Sequence, residues 1–423
     1  MRGSPISILH LSDLHRDLKN PIGTPALVNS LLHDITGAVD EEPSIPMPDI
    51  VIVSGDVIQG THKDDKDFEK VLRDQYDIAE DFLSQIAQEL LGGDRSKIII
   101  VPGNHDIDFP TAFSALEEID FATKNEDERA DLTEILFSKE TPFRWWWSGF
   151  KLYRISDDEK YNQRFKQFCD FYQRFYGNRT YSINPAEQFD IFDYPDLGIL
   201  ILGLNSCYRN DPWNRKGAVH PEALSNACLQ LRQREYRGRL RFGVWHHSTR
   251  GGPNDDDYLD SDFLQQLILN GISLGFHGHQ HRAEFLDERY VFGGQKKINV
   301  VSSSTLCGGE RVLMSGHPRG YNRVIIQDDM VKTQLHLRKM ANQDFQAPIW
   351  SKNSLFDDSA MKEFELQRFV DPLMAKYDLE DIAAAERLIR EGKNDEAIEL
   401  LTPLADAHEN ASDLLKAIQG KVK

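Results

Sequence analysis

Short runs rich in Ile and Val, each ending abruptly in acid, amide or histidine residues, constrain this chain more than any other feature. I-S-I-L-H-L-S (6–12) runs into D-L-H at Asp13 to His15, P-D-I-V-I-V-S into G-D at Gly55–Asp56, and K-I-I-I-V-P into G-N-H-D at Gly103 to Asp106. Farther along, R-L-R-F-G-V runs into W-H-H at Trp245 to His247, and I-S-L-G-F-H into G-H-Q-H at Gly278 to His281. Apolar runs of this length suit strands covered on both faces. Helical spacing over roughly 24–38 and 66–91 separates the first three runs, so strand–helix–strand units are expected. Polar residues at the carboxyl ends of such strands lie where open α/β sheets place their sites.

The remaining strand-like runs, L-G-I-L-I-L-G-L-N-S, K-I-N-V-V-S-S-S and Y-N-R-V-I-I-Q, call for a second sheet packed on the first. The stretch from Asn104 to His246 is far longer than one crossover needs. Residues 107–190 within it are charged and aromatic-rich, with Trp145, Trp146, Trp147 and a helical pattern near 161–176, and read as an inserted helical cap. The aromatic cluster reads first as that cap's own core, with a platform for stacking nucleobases as the alternative. Residues 341–358, with Pro348, read as a linker after a main domain of 1–340. The tail, 359–423, is expected to be helical. Its A-A-A-E-R-L-I-R-E-G-K-N-D-E-A-I-E-L-L-T-P-L-A resembles one tetratricopeptide-type hairpin turning at Gly392. A single repeat buries its faces only by stacking on something else, so the tail should pack on the body, a second subunit or a protein partner. The fold class is thus α/β: a two-sheet sandwich flanked by helices, with an inserted cap and a C-terminal helical extension.

Lys and Arg number 49 against 68 Asp and Glu, a net charge of −19 that argues against broad duplex binding. The run Q-L-R-Q-R-E-Y-R-G-R-L-R, ending at Arg241, is the candidate for a local basic patch, with a solvated helix face as the plainer reading. Cys169, Cys207, Cys228 and Cys307 form no C-x-x-C pair, and free thiols fit a reducing compartment. The opening M-R-G-S-P-I-S-I-L-H-L has too short an apolar run for a signal peptide, and no stretch approaches the roughly 20 apolar residues of a membrane span. A cytoplasmic protein without a membrane segment is expected.

Each motif is weak alone, and G-D is nearly uninformative. Five in this order, each after a strand, resemble the calcineurin-like metallophosphoesterase superfamily over roughly residues 6–337. The resemblance implies two divalent metal ions, with Asp13, His15 and His281 on the first, Asn104, His246 and His279 on the second, and Asp56 bridging them. Carboxylate, amide and imidazole donors suit Mn most, with Fe, Zn, Co or Ni as alternatives, better than calcium. It implies further that His105 faces the substrate and protonates the leaving group, that Asp106 orients the His105 ring, and that a hydroxide held between the metals attacks phosphorus in line. Asn104 and His247 are candidates to face the substrate. Arg250, on a loop with Gly251 and Gly252, reads equally as a phosphate contact or a plain loop arginine. Asn205 and Ser206 end a strand beside the expected site.

G-D-V-I-Q-G lacks the Asp-Arg-Gly that follows G-D in protein Ser/Thr phosphatases, and G-N-H-D replaces their G-N-H-E. W-H-H-S is similar to the H-H-P motif of cyclic-nucleotide and glycerophosphodiester phosphodiesterases, with Ser248 in place of proline. The resemblance thus implies hydrolysis of a phosphodiester, nucleotide-like in kind. The alternatives are a DNA or RNA nuclease of the same fold, or an effector phosphoesterase recruited to a protein partner through 359–423.

Overall fold

The computed structural model describes residues 4–420 apart from 20–21, 137, 139–140, 252–256, 290–295, 310–312, 314–315, 344–346, 357–358, 368–371 and 406–407. Strands β1 (Ile6–Leu11), β2 (Ile50–Val53) and β3 (Ile98–Ile100) are parallel neighbours. They are linked by helices α1 (Thr24–Gly37) and α2 (Phe68–Leu90). Helix α1 opens with Pro25, tolerated there because a first-turn N–H has no helical partner. Helix α2 buries Leu72, Tyr76, Ala79, Leu83, Ile86 and Leu90, a spacing of three and four residues that faces one side of a helix.

The insert is not purely helical. Strands β4 (Leu116–Ile119), β5 (Phe143–Trp146) and β6 (Lys151–Ile155) form an antiparallel sheet in the order β4-β6-β5. Helices α3 (Phe109–Ser114), α4 (Glu126–Leu136) and α5 (Asp158–Asn162) complete it. Helix α6 (Lys166–Tyr176) belongs to the body instead: it buries Phe168, Phe171, Tyr172 and Phe175 in the main core, and Phe171 stacks on Tyr76 at 4.8 Å. The cap is therefore shorter than 107–190, because aromatic residues at helical spacing serve a body helix as readily as a lid.

The second sheet is built from β7 (Phe189–Tyr194), β8 (Ile199–Leu204), β9 (Leu240–Val244), β10 (Ile272–His277), β11 (Glu284–Arg289) and β12 (Lys297–Ser302), in the order β11-β12-β10-β9-β8-β7. Its inner strands β8, β9, β10 and β12 are buried along almost their whole length and serve two cores by alternation. Ile199, Ile201, Phe242, Leu274, Phe276 and Val301 join the first sheet's residues in one cluster. Leu200, Leu202, Leu204, Ile272, Ile298 and Val300 lie in a second, with residues of α7 (Pro221–Gln230) and α8 (Asp262–Leu269). Each such fully buried side chain contributes about 1.5–3 kcal/mol.

The chain then returns to the first sheet, where β13 (Gly320–Ile326) pairs antiparallel with β1 and β14 (Lys332–Met340) with β13. Two strands, β15 (Trp350–Lys352) and β16 (Met361–Glu365), share the outer edge of β14. Residues 341–358 are thus not simply a linker, and helix begins well after 359. Three helices, α9 (Pro372–Arg390), α10 (Asn394–Leu401) and α11 (Glu409–Gln419), close over their own small core of Ile382, Ala385, Ala397, Leu401, Leu404, Ala411 and Ile418. The turn falls at Gly392, whose φ of 78° suits glycine.

The arginine-rich run is where this tail docks. Arg234 and Arg237 both pair with Asp381, which is 3% exposed, and Arg237 reaches Asp378 at 3.2 Å. Arg239 pairs with Asp193 at 2.8 Å, while Arg241 donates to the carbonyl oxygens of Asn270 and Leu231. Among the described residues, no helix is long and apolar enough to cross a membrane.

Candidate metal centre

Five loops converge at the carboxyl ends of β1, β2, β3, β9 and β10. Parallel pairing of β1 with β2 and of β9 with β10 makes them emerge side by side, and backbone bonds lace them together. Asp13 N–H donates to Gly55 O at 3.1 Å, His15 N–H to Asp56 O at 3.0 Å, and Gly278 N–H to His246 O at 3.1 Å. Asp13 (φ 50°), His15 (42°), Asp56 (50°), His279 (71°) and His281 (54°) are all left-handed, a conformation that costs non-glycine residues of order 1–3 kcal/mol each and clusters at functional sites.

The seven residues meet in two groups. Donor atoms of Asp13, His15, Asp56 and His281 lie within 4.8 Å of one another, all buried. His281 Nε2 is 3.1 Å from both His15 Nε2 and Asp13 Oδ1. In the second group, Asn104 Oδ1 lies 3.0 Å from His246 Nε2 and 2.9 Å from His279 Nδ1, and the two imidazole nitrogens are 3.3 Å apart. Asp56 Oδ2 reaches both groups, at 3.8 Å from His15 Nε2 and 3.3 Å from His246 Nε2. Two donors on one cation, each about 2.0–2.2 Å from it at tetrahedral to octahedral angles, stand about 2.9–3.5 Å apart. Most of the short separations fall in that window, so the donor set fits a pair of divalent ions, and the buried Asp–His cluster suits metal binding.

The electrostatics agree. Burial alone raises the pKa of Asp13 and Asp56, but His281 beside the first and His246 beside the second outweigh it and hold both below the usual carboxylate range. Burial disfavours charge on His246, yet Asp56 wins and lifts its pKa to about 9. Burial, with His105 nearby, lowers His15 to about 3. The cluster is a place where positive charge is wanted.

The structure brings His105 to this centre. Its backbone N–H donates to Asp56 Oδ1 at 2.8 Å, its ring meets the His15 ring edge-on at 4.7 Å, and its Nδ1 lies 2.6 Å from Gln59 O. Asp106 does not orient that ring. Its Oδ2 accepts from Gly103 N–H at 2.8 Å and Val57 N–H at 3.1 Å, and its Oδ1 from Tyr76 at 3.2 Å, so it ties the converging loops to α2. Burial, then the Asp56 charge, push Asp106 up to about 7. Gly103 is needed for close approach, since a Cβ there would fall inside contact distance of the Asp56 backbone nitrogen and carboxylate.

His246 enters the second group, whereas His247 lies behind it, fully buried: its ring is 4.4 Å from that of His279, its Nδ1 is 2.9 Å from Ser206 Oγ, and burial holds its pKa well down. Arg250 is also placed differently from a phosphate contact, because its half-exposed guanidinium pairs with Glu288. Gly251 of its loop is described; Gly252 lies outside the described residues. His277 stacks on Trp245 and bonds Gly278 O, as a structural histidine does.

Three residues the sequence did not single out serve the centre. Gln59 supplies the carbonyl to His105, Tyr76 binds Asp106, and Asp257 Oδ2 lies 3.3 Å from His279 Nε2. A carboxylate on the far nitrogen of a ligand histidine fixes ring and tautomer. Only Ser206 was foreshadowed, as a strand end; its Oγ accepts from the N–H groups of His246 and His247 at 3.1 and 3.0 Å.

Among solved structures, the chain is similar to a dimetal phosphatase from Danio rerio, at 10% sequence identity and a TM-score of 0.41, covering 82% of this chain and 98% of that one. It is also similar to a purple acid phosphatase from yellow lupin seeds (12%, TM-score 0.40, covering 82% and 54%) and a putative 5′-nucleotidase from Staphylococcus aureus (13%, TM-score 0.34, covering 87% and 55%). No curated protein matches it. The sequence model of the calcineurin-like phosphoesterases matches residues 6–283, about two thirds of the 423-residue chain. This chain belongs to the calcineurin-like phosphoesterase family.

Proposed function

We propose that the chain hydrolyses a small, nucleotide-like phosphodiester at a two-metal centre. The observation that carries this reading is the position of Asp56, whose single Oδ2 stands between two sets of donors. On it, Asp13, His15 and His281 hold one ion, Asn104, His246 and His279 the other, and Asp56 both, with manganese the first metal to test. When bound, the ions acidify a water and offset charge on the phosphoryl oxygens. His105, fixed through Nδ1, holds the proton given to the departing oxygen at Nε2. A diester rather than a monoester is favoured because Arg250, the loop cation nearest the His–His motif in sequence, is engaged by Glu288, and a monoester brings about one more negative charge to be matched. The free state of Cys169, Cys207, Cys228 and Cys307 supports a reducing, cytoplasmic setting.

The nuclease reading loses its basic patch, since the arginine run holds the tail and the body together. The effector reading keeps one support: Leu379, 62% exposed on α9 beside the docked face. The test is a panel of small diesters, monoesters and single-stranded oligonucleotides with the Mn-loaded protein at 50 and 300 mM salt. Cleavage of a small diester that changes less than about twofold supports the proposal; cleavage of oligonucleotides only, falling about tenfold or more with salt, overturns it in favour of the nuclease.

A further inference from the structure

The two groups that meet at the centre differ in charge. The first has Asp13 to itself and a share in Asp56, beside the imidazoles of His15 and His281, and all four residues are buried. The second has a neutral amide, Asn104, the imidazoles of His246 and His279, and only its share in Asp56. A divalent ion there would meet one carboxylate fewer. In a buried place an unmatched charge is costly, so the hold on that ion weakens unless the surroundings supply an anion.

Asp257 supplies one. Its Oδ2 lies 3.3 Å from His279 Nε2, with the carboxylate one-third exposed. His279 turns Nδ1 toward Asn104 and His246, so a cation held there needs Nδ1 without hydrogen, and Nε2 then carries the proton on the side of Asp257. A carboxylate in that position makes the ring a stronger donor. His246 is served differently, because its far nitrogen rests on a neutral acceptor, Ser54 O, at 2.8 Å.

The backbone around Asp257 is fixed from both histidine motifs. Ser248, where the similar H-H-P pattern has proline, donates from Oγ to Arg250 O at 2.9 Å, and its carbonyl oxygen accepts from Leu259 N–H at 2.8 Å. Proline has no hydroxyl to close this turn. Tyr258 packs on Gly251 so closely that a Cβ at Gly251 would come within 2.1 Å of its ring. Gln280, between the two histidines of G-H-Q-H, donates to Arg250 O at 2.7 Å.

We propose that Asp257 is a positioning residue for the second metal site: its charge, felt through the His279 ring, sets the affinity for that ion and leaves the first site unaffected. The assignment rests on the two-ion reading above. It gives the chain a tight first site and a second whose occupancy depends on one partly exposed carboxylate.

The test titrates manganese into the chelator-treated, full-length chain and into Asp257→Asn and Asp257→Ala. Free manganese is read from its sharp solution EPR signal, and the paired ions from their spin-coupled spectrum. The unaltered chain is expected to bind two ions, and both variants to keep the first dissociation constant within about twofold while the second weakens about 10- to 100-fold. Asp257→Asn keeps the shape and removes the charge, so most of the loss should already appear in it. The spin-coupled spectrum should need correspondingly more manganese to develop. Equal weakening of both sites would mark a merely structural role, and a second constant unmoved in Asp257→Asn would mean that the charge is not felt. Either result overturns the proposal and leaves the two-ion reading standing; a single ion bound by the unaltered chain overturns both.

Discussion

His105 Nδ1 lies 2.6 Å from the carbonyl oxygen of Gln59. A carbonyl only accepts, so Nδ1 carries the hydrogen and Nε2 is left as the nitrogen that exchanges protons. The backbone between Asp56 and α2 thus does for His105 what Asp106 was expected to do. Asp106 and His105 are adjacent in sequence yet have separate tasks, one tying loops together and the other facing the centre.

These tasks predict different phenotypes. His105→Ala should keep its metals and its melting temperature while hydrolysis slows about 10²- to 10⁴-fold, most for poor leaving groups. Asp106→Asn should lose stability, by about 1–3 kcal/mol, without changing the dependence on leaving group. Matched leaving-group series and thermal melts on both variants decide it. A leaving-group effect in Asp106→Asn equal to that of His105→Ala would restore the orienting role.

The raised pKa of Asp106 gives a pH signature. Its folded value of about 7 exceeds the ordinary 3.8, so the folded state binds this proton more tightly than the unfolded one. The resulting stability is full below about pH 4 and is lost as pH rises through about 7. In chelator-treated protein, Asp106→Asn should therefore narrow its stability deficit between pH 5 and pH 8. A deficit that widens over that range would contradict the buried, proton-holding placement.

Asp56→Asn should abolish turnover, at least by the 10²- to 10³-fold (roughly) that loss of one transition-state contact costs, and should deplete both metals together. Gly103→Ala should mimic it in milder form, because the added methyl displaces the Asp56 carboxylate without altering any donor. Metal analysis separates these outcomes: loss of a single ion in Asp56→Asn would remove the bridging role.

The seven residues that meet at this centre were legible in the sequence because each follows a strand whose apolar run marks where it ends. The left-handed backbone at five of them was not, since φ is set by how neighbouring loops lace together, and residue type gives only a bias toward Asp and His. Strand β14 was passed over for a related reason. K-T-Q-L-H-L-R-K-M looks like a solvated strand, yet Arg338 is buried because Asp34 and Glu41, some 300 positions away, meet its guanidinium. Long-range ion pairing also hid the purpose of the arginine run. Asp378 and Asp381 are invisible as its partners until α9 is folded against it.

That docking is testable. Arg237 is largely buried between Asp378 and Asp381, so Arg237→Ala leaves Asp381 with Arg234 and Asp378 with His408, at a cost of about 1.5–3 kcal/mol. Limited proteolysis should then release α9–α11 from the body more readily, while hydrolysis of small diesters persists. Unchanged protease resistance would mean that the ion pairs do not hold the tail.

Removal of the metals should destabilise the fold as well as silence it. Five of the proposed ligands sit in a backbone region that costs of order 1–3 kcal/mol apiece, and His15 and His281 present ring nitrogens to each other at 3.1 Å. A cation that binds only the folded chain offsets that strain, adding about 2.7 kcal/mol at a hundred times its dissociation constant. For a chain of 423 residues the gain corresponds to a rise of about 3 °C in melting temperature. Chelation should lower the melting temperature of the unaltered protein by about that amount, and manganese should restore it. In Asp56→Asn the same treatment should produce almost no shift, because neither ion is then held. An equal chelator response in both proteins would mean that the stabilising ion binds elsewhere.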